Sequence, residues 1–422
     1  MLKIEKFFRD PLYGFIGLTK KEVELLGIPV VQRLRRIKQL GNTHLVYPSA
    51  CHSRFEHTLG VLHIANRMAQ KLELSDYDSE IIRYAAILHD IGHGPLSHNF
   101  ETILEFINKR NISHEDITRK IIEADNEIYT VLGDKKEEVL SLFDSMNETV
   151  NSEIISGNID ADRLDYLRRD SYHIGVTYGI FDLERILHTI NKKTDGEKSY
   201  LTVLRKGMDA LEGYRLARYL MHTQVYYHHA RAISDSMLQR AVEVAVRDGT
   251  LDYKILKIDD PNFLANYLLL DDNRLFQKIL SNPQSNAYKL INDLENRNLL
   301  KRGFEIDLKW IEDALKKRKI MSLQTEDFRR LEVSLADSCK CEKDFIIAYL
   351  QKIENTLYKS SYEFFKADKT PILIENENGK VTELDKESPI FAKQEPRYKF
   401  YIFCPEKYKS KINELAKDII LA

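Results

Sequence analysis

Cysteine, glycine and proline are scarce in this chain of 422 residues, at 4, 17 and 10. Four cysteines, of which only Cys339 and Cys341 are close in sequence, build neither a disulfide framework nor a four-thiolate zinc site, and they fit a reducing compartment. With so few glycines and prolines to break it, most of the chain is expected to be helical. Charge of one sign is lacking too: 63 Lys and Arg stand against 65 Asp and Glu, for a formal net charge of −2. That balance excludes a surface that is wholly an electrostatic glove for nucleic acid, and 30% charged with 43% hydrophobic residues excludes a disordered chain. No run approaches 18 uncharged apolar residues, and Met1-Leu2-Lys3-Ile4-Glu5-Lys6 starts no signal sequence. A cytoplasmic protein without a membrane partner is expected, long enough to bury roughly three quarters of its unfolded surface around a dry site.

The pattern that is present is mainly α. Residues 55 to 74 carry Leu59, Leu62, Ala65, Met68, Ala69 and Leu72 on one stripe, whereas Glu80 to Leu88 is apolar nearly all round, so the first helix lies on a core and the second inside one. The second runs into His89-Asp90 and stops at Gly92, Gly94 and Pro95, which delivers a histidine and an aspartate at a buried helix end. Asn158-Ile159-Asp160 reads as a capped helix start, with Asp162, Asp165 and Tyr166 in the first turns, and residues 201 to 247 read as one or two long helices. Further on, helical periodicity at 342 to 357 precedes a hairpin signal around Asn378-Gly379, an alternating strand at Arg397 to Phe403 and a closing helix from Lys407. The expected organisation is a helical domain over 1–300 and a smaller α+β lobe over 301–422.

Four residues carry the chemistry: His57, the adjacent His89-Asp90, and Asp162, each set on a separate expected helix. Imidazoles and carboxylates without a thiolate are ligands for Mn, Mg, Fe or Zn in hydrolysis. An aspartate buried beside a histidine is costly unless a cation compensates it. The bland reading of each residue alone is a hydrogen-bonded core histidine or a capping acid; the ordered set favours a divalent metal ion.

The stretches Gln32 to Gly41, Ser53 to Val61, His89 to His98 and Ile159 to Tyr166 closely resemble the HD-domain metal-dependent phosphohydrolases, in the deoxynucleoside triphosphate triphosphohydrolase branch that includes the mammalian SAM-and-HD-domain enzyme and bacterial relatives. The resemblance covers roughly residues 5 to 245 and starts early enough that no SAM domain is expected before it. It implies an HD-domain helical core and hydrolysis of deoxynucleoside triphosphates to deoxynucleoside and inorganic triphosphate. It implies that His93, His98 and His114 line the α-phosphate, with His98 as proton donor and Glu101 and His114 positioning the water or the other histidines. The family usually has aspartate where Glu101 stands. Arg54, Arg163 and Arg218 match positions that hold the triphosphate, Tyr166 and Asp170 those that meet the 3′ hydroxyl, and Gln39, Leu40, His222 and Tyr226 those around sugar and base.

The sequence also departs from the branch. Where the mammalian member binds an activating guanine nucleotide, this chain has Arg9, Phe15, Gly27 and His229, so such activation is expected to be absent or built differently, with Arg35 and Lys38 left to meet a phosphate. A homodimer or homotetramer is implied by the resemblance. Two alternatives stay open: an HD phosphohydrolase for another phosphoester, such as a nucleoside monophosphate or a cyclic or signalling nucleotide, and a non-catalytic HD protein that binds nucleic acid through Lys316-Lys317-Arg318-Lys319 and the tail near Arg397 to Lys411. The bland reading of those basic runs is a solvated helix face.

Overall fold

Two antiparallel strands come first, β1 (Lys6–Asp10) and β2 (Gly14–Leu18), joined by a tight turn that sequence periodicity did not reveal. Gly14 takes φ +74°, and Asp10 Oδ1 accepts the backbone N–H groups of Leu12 and Tyr13 at 2.8 and 3.0 Å, so the turn is closed by its own first residue. The computed structural model describes residues 2–144, 147, 149–196, 198–353, 371–388 and 397–421.

The fold is mainly α, as the sequence indicates. Helix α1 (Arg54–Lys71) packs on α2 (Asp76–Leu88), which begins under a Ser75 cap and buries Ile81 through Leu88 without a break. As expected, α2 ends at the cap residue His89. The chain then turns tightly before α3 (His98–Asn108) and α4 (His114–Ala124). Glycine is required at position 92, because a Cβ there would lie 2.1 Å from the His114 carbonyl oxygen. Asp160 caps α5 (Ala161–Ile174) by accepting from the Arg163 N–H at 2.8 Å, which confirms the expected helix start.

Two expected helical stretches are partly strand. Residues 198–204 form β4 (Lys198–Leu204), paired antiparallel with β3 (Ile190–Asp195); only then follow α6 (Met208–Met221), a π-helical turn over His222–Tyr226, and α7 (His229–Arg247). The stretch read as a helix from Glu342 holds β5 (Lys301–Asp307)'s sheet-mate β6 (Ile347–Ile353), and residues 354–357 of that stretch lie outside the described residues. In both places β-branched and aromatic residues satisfy their backbone across a ladder, which outweighs a short three-and-four pattern.

The described residues form two compact units that cut across the expected boundary at 300. The first comprises the described parts of Met1–His222 and Thr356–Lys393 together with Ile258–Asp272; the second comprises Thr223–Lys257 with the described parts of Asn273–Asn355 and Gln394–Ala422. The expected hairpin is present as β7 (Leu373–Glu375) and β8 (Val381–Glu383), but β7 pairs in parallel with β4 and so belongs to the first unit. In the second unit β9 (Arg397–Cys404) is the centre of the β5-β9-β6 sheet, whose core includes Phe304, Ile346, Phe400, Ile402 and Leu335, the last from α8 (Thr325–Cys339). Helix α9 (Lys409–Leu421) adds Ile412 and Ala416 to it.

Candidate metal centre and active site

His57 lies one turn into α1, His89 caps α2, Asp90 follows it, and Asp162 sits in the first turn of α5. The fold brings all four together. His57 Nε2 is 3.0 Å from Asp162 Oδ1, 3.3 Å from His89 Nε2 and 3.8 Å from Asp90 Oδ2, and His89 Nε2 is 3.3 Å from Asp90 Oδ1. Ligand atoms of His57, His89 and Asp90 lie close enough together to hold a metal ion.

The protonation pattern tests whether a cation fits. His89 Nδ1 donates to the Ala86 carbonyl at 2.8 Å, and His57 Nδ1 donates to Asp165 Oδ2 at 2.8 Å. With both rings neutral, as a cation between them would require, each would turn an unprotonated Nε2 toward the other, between two carboxylates. Two lone pairs at this separation repel unless a proton or cation stands between them. Burial works against a charged His57, but its hydrogen bonds to Asp162 and Asp165 prevail and push its pKa up to about 10. Burial lowers that of His89. Burial would raise both carboxyls, yet Arg54 and the neighbouring histidines hold Asp90 well below its usual range, and His57 brings Asp162 down to about 2. Two imidazoles and two ionised carboxylates form a set suited to a borderline divalent cation.

A second group adjoins the first. His93, His98, Glu101 and His114 gather around one carboxylate oxygen: Glu101 Oε1 lies 2.8 Å from His114 Nδ1, 3.1 Å from His98 Nδ1 and 3.4 Å from His93 Nδ1. The His93 and His114 rings stack at 3.7 Å. Asp90 Oδ1 joins the two groups, at 3.3 Å from both His89 Nε2 and His93 Nε2. Burial and then Arg54 keep His93 far below its ordinary value, hence neutral. Against burial, Glu101 raises His114, and His98 with His114 depresses Glu101, so this pair is ionic. His98 is the open member, with 56% of its side chain exposed. A cavity of about 20 Å³, room for one water, is lined by His89, His114, Asp160 and Asp162 among others.

The turn that delivers His98 is strained, with Leu96 at φ 59° and Ser97 at φ 63°, ψ −129°. Buried Asp272 holds it by accepting the N–H groups of Leu96 at 2.7 Å and Lys38 at 3.0 Å, while Arg33 donates to the His93 carbonyl at 2.7 Å. Arg54 is buried as a clamp, donating to Asp90 Oδ2 at 2.5 Å and Ser97 Oγ at 2.7 Å.

The remaining expected residues fall into two places. Arg163 on α5 pairs with Asp160 and donates to the Gly157 carbonyl at 2.6 Å; Arg218 on α6 is buried, and Tyr214 feels the charge of both arginines. Asp170 receives His52 Nε2 at 2.8 Å, one turn along α5 from half-buried Tyr166, and the Gln39 N–H donates to the His52 carbonyl at 3.0 Å. Leu40 is buried beside Gln39, and His222 is buried at the start of the π-helical turn. Tyr226 ends that turn and belongs to the second unit.

Sequence reasoning missed three residues: Asp165, which holds His57; His52, which meets Asp170; and Asp272. Asp165 carried a usable signal, since it lies three residues after Asp162 and so shares its helix face.

Comparison with known proteins accords with this geometry. The HD-domain model matches residues 54–170, and the model of the HD-associated region matches residues 181–421, more than half of the chain. The chain belongs to the HD-domain phosphohydrolase superfamily. This HD-domain chain is 39% identical to an uncharacterized protein of Methanocaldococcus jannaschii over 76% of its own length and 66% of that protein's. It is 28% identical to the Dictyostelium discoideum protein named deoxynucleoside triphosphate triphosphohydrolase SAMHD1 homolog, over 74% of its own length and 64% of that protein's. It therefore spans less than two thirds of these relatives' length. The crystal structure of a phosphohydrolase from Bacteroides thetaiotaomicron superposes with a TM-score of 0.75 at 26% identity, covering 94% of this chain and 99% of that one. Among the described residues, no helix is long and apolar enough to cross a membrane.

Proposed function

We propose that this HD-domain protein is a metal-dependent triphosphohydrolase that converts deoxynucleoside triphosphates into deoxynucleoside and inorganic triphosphate. The observation that carries the reading is the junction at Asp90, where an acid-rich pair of facing imidazoles meets a histidine cluster that holds a proton. His57, His89, Asp90 and Asp162 would hold a divalent cation, which when bound supplies Lewis acidity and lowers the pKa of water.

The chain's own residues do the rest. Arg54, Arg163 and Arg218 supply permanent positive charge for three phosphates, in forks that match phosphate oxygens. Water attacks the α-phosphorus and releases its proton to solvent, the bond from that phosphorus to the 5′ oxygen breaks, and His98 gives the leaving oxygen its proton. His98 suits that task because its Nδ1 is oriented by Glu101 while the ring is exposed enough to reach a substrate. Glu101 also keeps His114 charged near the developing negative charge. Asp170 and Tyr166 would meet the 3′ hydroxyl, and Gln39, Leu40 and His222 the sugar and base. The choice of a deoxynucleoside triphosphate rests on the sequence resemblance and on the printed name of the Dictyostelium relative.

Product analysis tests it. The purified protein is incubated with each dNTP and NTP in Mn²⁺ or Mg²⁺, with and without EDTA, and triphosphate, pyrophosphate and phosphate are separated. Triphosphate from dNTPs, abolished by EDTA, is expected; pyrophosphate or phosphate as first product contradicts the reading.

A further inference from the structure

The metal-ligand histidine His57 is held from behind by a chain of contacts that reaches the N-terminal hairpin. Asp165 uses both oxygens: Oδ2 receives His57 Nδ1 at 2.8 Å, and Oδ1 receives the Tyr13 hydroxyl at 2.7 Å. Arg169, one turn further along α5, donates to the same carboxylate from Nε at 2.8 Å and from Nη2 at 3.0 Å. Its remaining terminal nitrogen, Nη1, lies 3.0 Å from Asp10 Oδ2. Asp10 in turn closes the hairpin turn through its other oxygen, which accepts the N–H of Tyr13. The Tyr13 ring stacks on His63 of α1, with centroids 4.7 Å apart. Gly60 makes room for the assembly, since a Cβ there would stand 1.9 Å from Asp165 Oδ1 and 2.4 Å from Arg169 Nη2.

A carboxylate that fixes a ligating imidazole must itself be fixed, or its oxygens rotate and the ring loses both orientation and tautomer. Burial alone does not fix it, because a carboxylate can turn about its last bond. Here four directed hydrogen bonds reach Asp165, and two of the groups that direct them, the Tyr13 hydroxyl and Arg169 through Asp10, depend on the hairpin turn. We infer that Tyr13 and Asp10 are positioning residues of the metal centre, which act through Asp165 to keep His57 Nε2 turned toward His89 and Asp162, so that the seat of the hairpin on α5 sets metal affinity. This rests on the metal-centre reading but not on the identity of the substrate.

The test measures metal binding without any nucleotide. Metal-stripped protein is titrated with Mn²⁺, and free Mn²⁺ is read from its electron paramagnetic resonance signal, for the wild type, Asp165→Asn, Tyr13→Phe, Asp10→Asn and Phe7→Ala. Asp165→Asn is expected to weaken binding by about 10- to 100-fold, the usual cost of losing a ligand's hydrogen-bond partner. Tyr13→Phe and Asp10→Asn, with their melting curves compared with the wild type, are expected to weaken it by at least roughly threefold, and Phe7→Ala, on the exposed side of the same hairpin, to leave it unchanged. If Asp10→Asn fails to fold, Tyr13→Phe, which removes one oxygen and keeps the stacked ring, decides alone. Wild-type affinity in a folded Tyr13→Phe beside a clear loss in Asp165→Asn overturns the inference. So does an equal loss in Phe7→Ala, which would mean that the hairpin acts only through general stability. Failure of the wild type to bind Mn²⁺ overturns the metal-centre reading itself.

Discussion

Both units of the molecule bury charge, but they do so to opposite effect. In the second unit Arg240 and Arg329 face Glu243 and Glu332, two cations against two anions: Arg240 Nη2 lies 2.7 Å and Arg329 Nη1 2.8 Å from Glu332 Oε2, and Glu243 is within 3.3 Å of both arginines. Glu332 Oε1 also accepts the Ala348 N–H at 2.9 Å. The network is closed. A cavity of about 130 Å³ beside it is lined by these same paired groups. In the first unit the charges close only through a proton: facing Nε2 atoms stand between Asp90 and Asp162, with Arg54 against the first and a protonated His57 against the second. The larger hollow adjoins the closed network, and the water-sized one adjoins the set that a proton closes. Buried charge or cavity size alone therefore does not mark a site; a set of acids and imidazoles closed only by a proton, whose place a cation can take, does.

That contrast can be broken from either side. Asp162→Ala should lower turnover by about a thousandfold or more, the loss of several kcal/mol of transition-state stabilisation, while denaturant unfolding of the metal-free protein changes by only about 1 kcal/mol. Steady-state kinetics and urea titration check the two halves. Arg240→Met should do the reverse, destabilising by about 3–5 kcal/mol by leaving Glu332 and Glu243 buried with less compensation, while Mn²⁺ affinity stays at its wild-type value. A loss of metal affinity in Arg240→Met would erase the distinction between the two networks.

A smaller effect sharpens the account of the histidine cluster. Glu101→Gln removes the charge that raises His114, while the burial that lowers it stays, so the alkaline limb of kcat/KM should move to lower pH. The stability from this pair is fully present above the ordinary value of Glu101, 4.5, and below that of His114, 6.5. It is lost as pH falls through the depressed Glu101 value or rises through the raised His114 value. Melting temperature against pH should accordingly be flatter in the variant above 6.5. An unmoved alkaline limb would separate Glu101 from the proton inventory.

The part of this architecture that was legible in the sequence is the part with local causes. His89 and Asp90 could be placed because an all-round apolar helix ran into glycines, and Asp162 because Asp160 was a recognisable cap. The partners of these residues were not legible. Which aspartate meets His57 Nδ1, and that His52 meets Asp170, depends on how α1 and α5 cross, which no local window contains. The strand β6 was misread because Ile346, Ile347 and Leu350 fit a helical stripe as well as a strand, and only pairing with β9 decides between them. The hairpin of β7 and β8 was visible from its Asn-Gly turn, but its place in the first unit is set by parallel pairing with β4, a contact far away in sequence.

The most direct measurement of the central claim is hydrolysis of the four dNTPs with Mn²⁺ in ¹⁸O-enriched water, followed by mass spectrometry of both products. Attack at the α-phosphorus predicts one ¹⁸O in the inorganic triphosphate and none in the deoxynucleoside. Label in the deoxynucleoside, or pyrophosphate or phosphate as the labelled product, would contradict it.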